Sequence, residues 1–308
     1  MRLINVQTLE LEEFIGNCIP RYAILSHTWG DEEVTFQEWQ SPNRPCHKSG
    51  YQKVIEACRL TKNDNLKYLW CDTNCIDKTS SAELSEAINS MFSWYRDSSV
   101  CYAYLVDVFK GEDFERSRWF TRGWTLQELL APNAVYFLSS QWILLGSRDE
   151  MVGSISRVTG IGSEYLLDRK NLSGVSVAER MSWLARRTTT RPEDMAYCMF
   201  GIFNLNLPLL YGEGDKAFLR LQEELIRVSN DRSIFCWSRP KDDFRDCWNG
   251  ILALSPKAFA HSRYVPPLNS YFSMNKMPYL AQSYPFSLPE RKVIRLIRSS
   301  RDHPSRLR

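Results

Sequence analysis

Short apolar runs alternate with amphipathic stretches over the first half of the chain. Four runs have the length and composition of buried strands, namely residues 22–26, 66–71, 100–106 and 134–138. Residues 51–60 and 80–95 instead repeat apolar positions at helical spacing, and Ser80 with Glu83 forms a capping box at the start of the second stretch. Strand, helix, strand, helix, strand is the order of a parallel α/β sheet. The pattern therefore predicts one α/β domain over residues 1–150.

After about residue 150 the pattern becomes helical. Ser176 and Glu179 form a second capping box, and helical spacing continues through 193–203 and 215–229. We predict a helical region at 151–240. Beyond it the periodicity weakens and arginines accumulate, so residues 241–308 are expected to form an irregular, basic tail that looks like a truncated or shifted reading frame.

Composition narrows the class of protein. A chain of 308 residues with 44% hydrophobic content can bury a sizeable core. A net charge of +3 on 39 basic and 36 acidic residues is too balanced for a nucleic-acid surface. The amino terminus lacks the pattern of a secretory signal, and no apolar run is long enough to span a membrane. These features predict a cytoplasmic protein that binds no nucleic acid.

The nine cysteines show no paired framework, which favours reduced thiols. Cys71 and Cys75 are separated by three intervening residues rather than two, and no histidine or second cysteine pair follows at zinc-finger spacing. The sequence therefore predicts no metal site and no resident cofactor.

The stretch from Ser117 to Leu130, SRWFTRGWTLQELL, is unusually rich in aromatic residues and contains one carboxylate. A helix from about Gly123 would place Trp124, Gln127 and Glu128 on one face. A carboxylate beside aromatic rings can have a raised pKa, which is one way to build an active-site acid or base. The alternative is a half-buried helix whose Glu128 faces solvent.

Polar side chains follow the first two predicted strands. Ligand sites of open α/β sheets commonly lie at such carboxyl ends, so we expect these side chains to line one pocket. The candidates are His27, Trp29 and Asp31 after the first strand, with Asp72 and Asp77 after the second. His27 could instead be a structural histidine, and the two later aspartates could cap a loop or helix.

Three long motifs in the same order resemble the heterokaryon incompatibility (HET) domain of filamentous fungi. They are YAILSHTWGDEEVTF at 22–36, YLWCDTNCIDKTSSAELSEAINSMFSWYRDSSVCYAYL at 68–105 and SRWFTRGWTLQELLAP at 117–132. The resemblance continues to about residue 240. It implies an intracellular effector of non-self recognition that triggers growth arrest or programmed cell death when incompatible cells fuse.

HET domains in turn resemble Toll/interleukin-1 receptor (TIR) domains, some of which hydrolyse NAD. This likeness implies a flavodoxin-like, mostly parallel sheet flanked by helices. Trp124, Glu128 and Leu129 match the W-x-x-x-E-L motif, which would make Glu128 the catalytic carboxylate, and Ser26 matches the serine after the opening strand. The chain departs from the pattern at Thr125, where TIR domains usually have Cys. It departs again at Arg122, where they usually have Ser, and it lacks the glycine expected after Asp72.

On this resemblance NAD would be a substrate. Trp119 or Trp124 could stack on its nicotinamide or adenine ring, and Arg118 or Arg122 could meet its diphosphate. The arginines could equally be solvated or paired with glutamates. A non-catalytic alternative is a signalling module that self-associates as a homo-oligomer through the aromatic helix, and a third is an inactive truncated remnant. The sequence does not identify the recognition protein that would act as partner.

Overall fold

Seven strands form one mixed sheet in the computed structural model, which describes residues 1–16, 18–240 and 250–268. The strands are β1 (Arg2–Asn5), β2 (Leu11–Glu13), β3 (Tyr22–His27), β4 (Tyr68–Trp70), β5 (Val100–Tyr104), β6 (Val135–Leu138) and β7 (Leu144–Ser147). Their order across the sheet is β2-β1-β4-β3-β5-β6-β7. The four strands predicted from apolar runs are therefore present as β3, β4, β5 and β6.

Only the centre of the sheet is parallel. β3 pairs in parallel with β4 and β5, and β5 pairs in parallel with β6. The edge pairings β1 with β2, β1 with β4, and β6 with β7 are antiparallel. The prediction of a mostly parallel sheet holds for the central strands, and the antiparallel edge strands make the whole sheet mixed. The sequence did not predict β1, β2 and β7, because they are three or four residues long and only partly apolar, which hides them from a periodicity search.

Eleven α-helices occur in the described part of the chain. They are α1 (Phe36–Gln40), α2 (Ser49–Asn63), α3 (Asp72–Cys75), α4 (Ser81–Asp97), α5 (Thr125–Leu130), α6 (Val152–Thr159), α7 (Ser163–Leu167), α8 (Val177–Ser182), α9 (Asp194–Tyr197), α10 (Phe200–Phe203) and α11 (Lys216–Val228). None of these helices is long and apolar enough to cross a membrane.

The predicted serine caps mark the starts of two helices, but one capping box is incomplete and one helix begins later than predicted. The Ser80 hydroxyl accepts from the backbone N–H of Glu83, which begins α4, and Ser176 does the same for Glu179 in α8. The Glu83 carboxylate does not complete the predicted box, because it accepts from the backbone of Asp77 and pairs with Arg2 instead. α5 begins at Thr125 rather than near Gly123.

The helices after residue 150 are tied to the α5 region by backbone hydrogen bonds. The N–H of Gly123 donates to the carbonyl of Thr188 at 2.9 Å, and the N–H of Thr188 donates to Thr121 at 2.7 Å. Met1–Leu268 form one compact unit. Most of the predicted basic tail, at 241–249 and 269–308, lies outside the described residues, as does Cys247.

Candidate functional site

The carboxyl end of β3 supplies the centre of the site. All six residues of the strand are buried, because β4 and β5 flank it and helices cover it. The strand's alternation sends Ser26 and His27 to opposite faces of the sheet. Each of these two side chains anchors a separate polar cluster in the interior.

Ser26, Trp119 and Glu128 form the first cluster. The Trp119 indole Nε1 donates to the Ser26 Oγ at 2.8 Å, and the Ser26 hydroxyl donates to the Glu128 carboxylate. An indole N–H can only donate, so the serine hydrogen is directed at Glu128. The structure thus joins two predicted catalytic residues and one predicted binding residue by hydrogen bonds.

Glu128 faces the interior, which overturns the alternative of a solvent-facing glutamate. Only 7% of the residue is exposed. Burial raises the pKa of its carboxyl to about 8, and the negative charge of Asp72 adds to the rise, while the hydrogen bond from Ser26, the interaction with the Tyr95 hydroxyl and the charge of Arg187 oppose it. At neutral pH the buried carboxyl is therefore largely protonated.

Tyr95 and Arg187 surround Glu128, and sequence reasoning missed both. Tyr95 lies on α4, where its spacing marked it only as part of the apolar stripe. Arg187 is buried behind α5 and donates to the Arg122 carbonyl and the Thr125 hydroxyl at 2.8 and 2.9 Å. Burial lowers the pKa of Arg187 to about 10. No local pattern marks an arginine that reaches a helix so distant in sequence.

His27 forms the second cluster with two carboxylates. Its Nε2 lies 3.8 Å from Glu33 Oε2 and 3.8 Å from Asp72 Oδ1, and its side chain is fully buried. Burial lowers the pKa of His27 to about 4, so the imidazole is neutral at physiological pH. Sequence reasoning named His27 and Asp72 but missed Glu33, which lies in a loop without a pattern.

Trp29 covers the outer side of Asp72. It is 50% exposed, and its indole Nε1 donates to Asp72 Oδ2 at 3.0 Å. The Lys78 ammonium lies 3.5 Å from the centroid of the Trp29 ring and 3.2 Å from the same Asp72 oxygen. Arg118 is exposed, and its guanidinium donates to the Thr28 hydroxyl and the Trp29 carbonyl.

The remaining predicted residues lie apart from both clusters. Asp31 is exposed. Asp77 accepts from Thr79 and Gln37, which matches the capping alternative. Arg122 donates to the Thr190 hydroxyl at 3.1 Å, and Trp124, at the N-cap of α5, interacts with the Asp194 carboxyl group.

Two surface clefts are lined by other residues. One lies between the segment around Phe114 and helix α6, and the other lies beside Glu164, Glu179 and Arg263. Neither is lined by a residue predicted for the site. The candidate chemistry therefore rests on the two buried clusters rather than on these clefts.

Comparison with known proteins agrees with the sequence motifs. Residues 22–110 match the family model described as heterokaryon incompatibility protein (HET). Vegetative incompatibility protein HET-E-1 of Podospora anserina is 48% identical over 221 residues, which cover 67% of this chain but 16% of that protein. No solved structure matches the chain. The matched segment contains β3, β4 and β5, and this part of the chain is similar to the heterokaryon incompatibility (HET) family.

Proposed function

We propose that this protein acts in heterokaryon incompatibility, and that it does so by hydrolysing NAD at Glu128 to cause programmed cell death. The role in incompatibility is supported by the HET family match and by the likeness to a vegetative incompatibility protein. The chemistry is supported by one observation above others, the buried hydrogen-bonded arrangement of Ser26, Trp119 and Glu128 at the carboxyl end of β3.

The strand order supports the TIR-like part of the proposal. Counted along the chain, the parallel strands β3, β4, β5 and β6 stand in the spatial order second, first, third, fourth. Flavodoxin-like sheets have this order, and their ligands bind where it reverses, between the first and third strands. Ser26 lies on the first of these strands, next to β5.

The reaction would break the bond between the nicotinamide nitrogen and C1′ of the ribose. The bonding electrons leave with the nicotinamide, which becomes neutral, and C1′ takes on oxocarbenium character. An ionised Glu128 would stabilise that positive charge, as carboxylates do in glycoside hydrolysis. Water then adds to C1′ and loses a proton, which gives ADP-ribose.

Ser26 and Trp119 would position the carboxylate in this reaction. The fixed direction of the Ser26 hydrogen bond holds one Glu128 oxygen toward β3. The other oxygen would then face the ribose. Because Glu128 is 7% exposed, substrate must displace part of the cover over this end of the sheet before the atoms meet.

The raised pKa of Glu128 gives the proposed activity a defined pH dependence. The free enzyme would hold a reactive carboxylate only above about pH 8, so kcat/KM for NAD would rise through that pH. The nicotinamide ring of NAD is cationic and would favour the carboxylate once bound. We therefore expect kcat to reach its plateau at a lower pH than kcat/KM does.

The test is NAD loss and nicotinamide release by the purified full chain at several protein concentrations. Glu128→Gln is the informative variant, because it keeps the size of the side chain and removes the charge. Glu223→Gln, on the exposed side of α11, is the matched control. Loss of activity in Glu128→Gln alone supports the proposal. Absence of turnover by folded wild-type protein at every concentration would overturn the enzymatic part.

A second candidate function, signalling by self-association, is favoured by exposed apolar side chains at one edge of the sheet. Tyr136 on β6, Ile143 before β7 and Leu144 on β7 are 38%, 58% and 58% exposed, and β7 is an edge strand. If this edge assembles, wild-type protein should show a concentration-dependent mass by light scattering that Leu144→Lys abolishes. A monomer at every concentration would exclude this candidate.

A further inference from the structure

The His27 cluster has a feature that the proposed NAD chemistry does not use. Both ring nitrogens of His27 are buried and lack a hydrogen-bond partner among the described residues. A buried polar group without a partner costs free energy, so native proteins nearly always satisfy such groups with protein, water or an ion. The nearest acceptors to Nε2, Glu33 Oε2 and Asp72 Oδ1, lie at 3.8 Å, which is too far for a direct hydrogen bond.

Each of these carboxylates uses its two oxygens differently. Glu33 Oε1 accepts from the Gly30 N–H and pairs with Lys53, whereas Glu33 Oε2 is buried without a partner. Asp72 Oδ2 accepts from Trp29 and Lys78, whereas Asp72 Oδ1 is the oxygen nearer His27. The outer oxygens are therefore held by donors while the inner oxygens face the imidazole. Outer partners of this kind orient the ligands of metal sites.

The Cys71 thiol adds a third type of metal ligand to the imidazole and the carboxylates. The ligand atoms of His27, Cys71 and Asp72 all lie within 4.8 Å of one another. Neighbouring ligand atoms of a tetrahedral zinc site lie roughly 3.3–3.8 Å apart, given zinc bond lengths near 2.0–2.3 Å. Small side-chain movements would bring the three groups to that spacing. The mixture of imidazole nitrogen, sulfur and carboxylate oxygen is typical of zinc rather than of calcium or magnesium.

We propose that His27, Cys71 and Asp72 bind one zinc ion at the carboxyl ends of β3 and β4, with Glu33 at the fourth position. The elements hold these residues by different means. His27 ends β3, Cys71 follows β4 directly, and Asp72 is the first residue of α3. Two fixed strands and one short helix thus converge on one point, which is the rigidity that a metal site needs.

The local charge accommodates the ion. Lys53 and Lys78 balance the Glu33 and Asp72 carboxylates through their outer oxygens. Zinc binding displaces the Cys71 thiol proton to solvent, so the ion meets three anionic ligands and one neutral imidazole. With the two lysines, the cluster then carries one net positive charge.

The proposed zinc site is not the zinc-finger arrangement that the spacing of Cys71 and Cys75 excludes. Cys71 and Cys75 do not form a zinc-finger pair, and Cys75 is absent from the clustered ligands. Its Sγ accepts from the Cys71 backbone N–H at 3.4 Å instead. Cys75 is nevertheless buried on the same short helix, which makes it a matched control.

The experiment is titration of the metal-free full chain with Co²⁺, which reports ligands by its absorption spectrum, followed by displacement with Zn²⁺. We expect one ion per chain, with visible bands of a tetrahedral site and a near-ultraviolet band from sulfur coordination. Cys71→Ser should abolish the sulfur band and weaken binding at least about tenfold. Cys75→Ser should change neither the spectrum nor the affinity.

His27→Gln tests the imidazole ligand in the same way. If circular dichroism shows that His27→Gln does not fold, Asp72→Asn is used as the test variant.

Cys46 and His47 are adjacent in sequence and exposed, so they could bind cobalt adventitiously, and a Cys46→Ser, His47→Gln double variant is included as a control. Loss of binding in this double variant, or equal binding by wild type and Cys71→Ser, would overturn the proposal. Because the readout is the metal alone, the outcome does not depend on NAD turnover.

Discussion

Glu128 is held by a serine that lies 102 positions earlier in the chain. A carboxyl group in this interior is stable mainly in its protonated form, because burial penalises the charge more than Ser26, Tyr95 and Arg187 restore it. The cost of burying the charged form of Glu128 therefore affects the free energy of unfolding as well as the proposed reactivity of the carboxylate.

Ser26→Ala should lower the free energy of unfolding by about 1–3 kcal/mol, because the buried Trp119 N–H then loses its acceptor. Chemical denaturation followed by fluorescence measures the change. Adding Trp119→Phe removes the orphaned donor as well, so the double variant should lose less than the sum of the two single losses. Additive losses would show that the hydrogen bond contributes nothing specific.

The stability of the wild type should fall between about pH 5 and pH 8 relative to Glu128→Gln. The pKa of Glu128 is raised from 4.5 to about 8 in the fold, so its protonated form stabilises the native state below pH 4.5. That contribution disappears as the pH rises through about 8. Each pKa unit corresponds to about 1.4 kcal/mol, so the difference between the two proteins reaches several kcal/mol. Parallel pH dependences would contradict a raised pKa.

At the scale of elements, close backbone approach decides where helices meet. α10 packs on α4, and a Cβ added to Gly201 would lie 2.0 Å from the Cβ of Phe92. No side chain fits at that distance, so the glycine sets the spacing between the two helices. Gly153 in α6 is the opposite case, since nothing lies within 4 Å of an added Cβ.

Gly201→Ala should therefore destabilise the protein by about 1–3 kcal/mol through overpacking. Gly153→Ala should instead stabilise it by about 0.5–1 kcal/mol, because alanine loses less backbone entropy in a helix. Thermal denaturation of both variants beside wild type measures the contrast. Stabilisation by Gly201→Ala would show that helix propensity, rather than contact with Phe92, governs position 201.

At the scale of the whole molecule, contacts join the sheet to the later helices. Arg187 reaches the Arg122 carbonyl and the Thr125 hydroxyl, and Asn89 on α4 exchanges hydrogen bonds with the backbone of Leu207. These groups are wholly or partly buried and would be exposed if residues 1–150 and 151–240 separated. The division of the chain at residue 150 stays a prediction, and unfolding can test it.

We expect a single cooperative transition for the full chain, monitored by both circular dichroism and tryptophan fluorescence. Arg187→Met should shift both signals together to lower denaturant concentration, since it leaves the α5 region without its partner. Two resolved transitions, with only one moved by Arg187→Met, would show that the two regions fold independently.

The sequence by itself determined the four central strands, the two long helices α2 and α4 and the resemblance to the HET family. These depend on signals within a few residues, namely apolar runs, helical spacing and a serine cap, or on long contiguous motifs. It also brought Ser26, Trp119 and Glu128 forward as candidates. The short edge strands left no comparable signal, because three or four residues carry too little periodicity to be recognised.

Only the tertiary structure decided how the candidates group. Strand alternation places Ser26 and His27 on opposite faces of the sheet although they are adjacent in sequence. Packing of elements that are distant in sequence places Tyr95 and Arg187 near Glu128, and it places Glu33 near His27. Burial, which sets the pKa of Glu128 and of His27, is a property of all the surrounding elements together. Local sequence specifies which helices and strands form, whereas long-range packing specifies which side chains come into contact and how far they are buried from solvent.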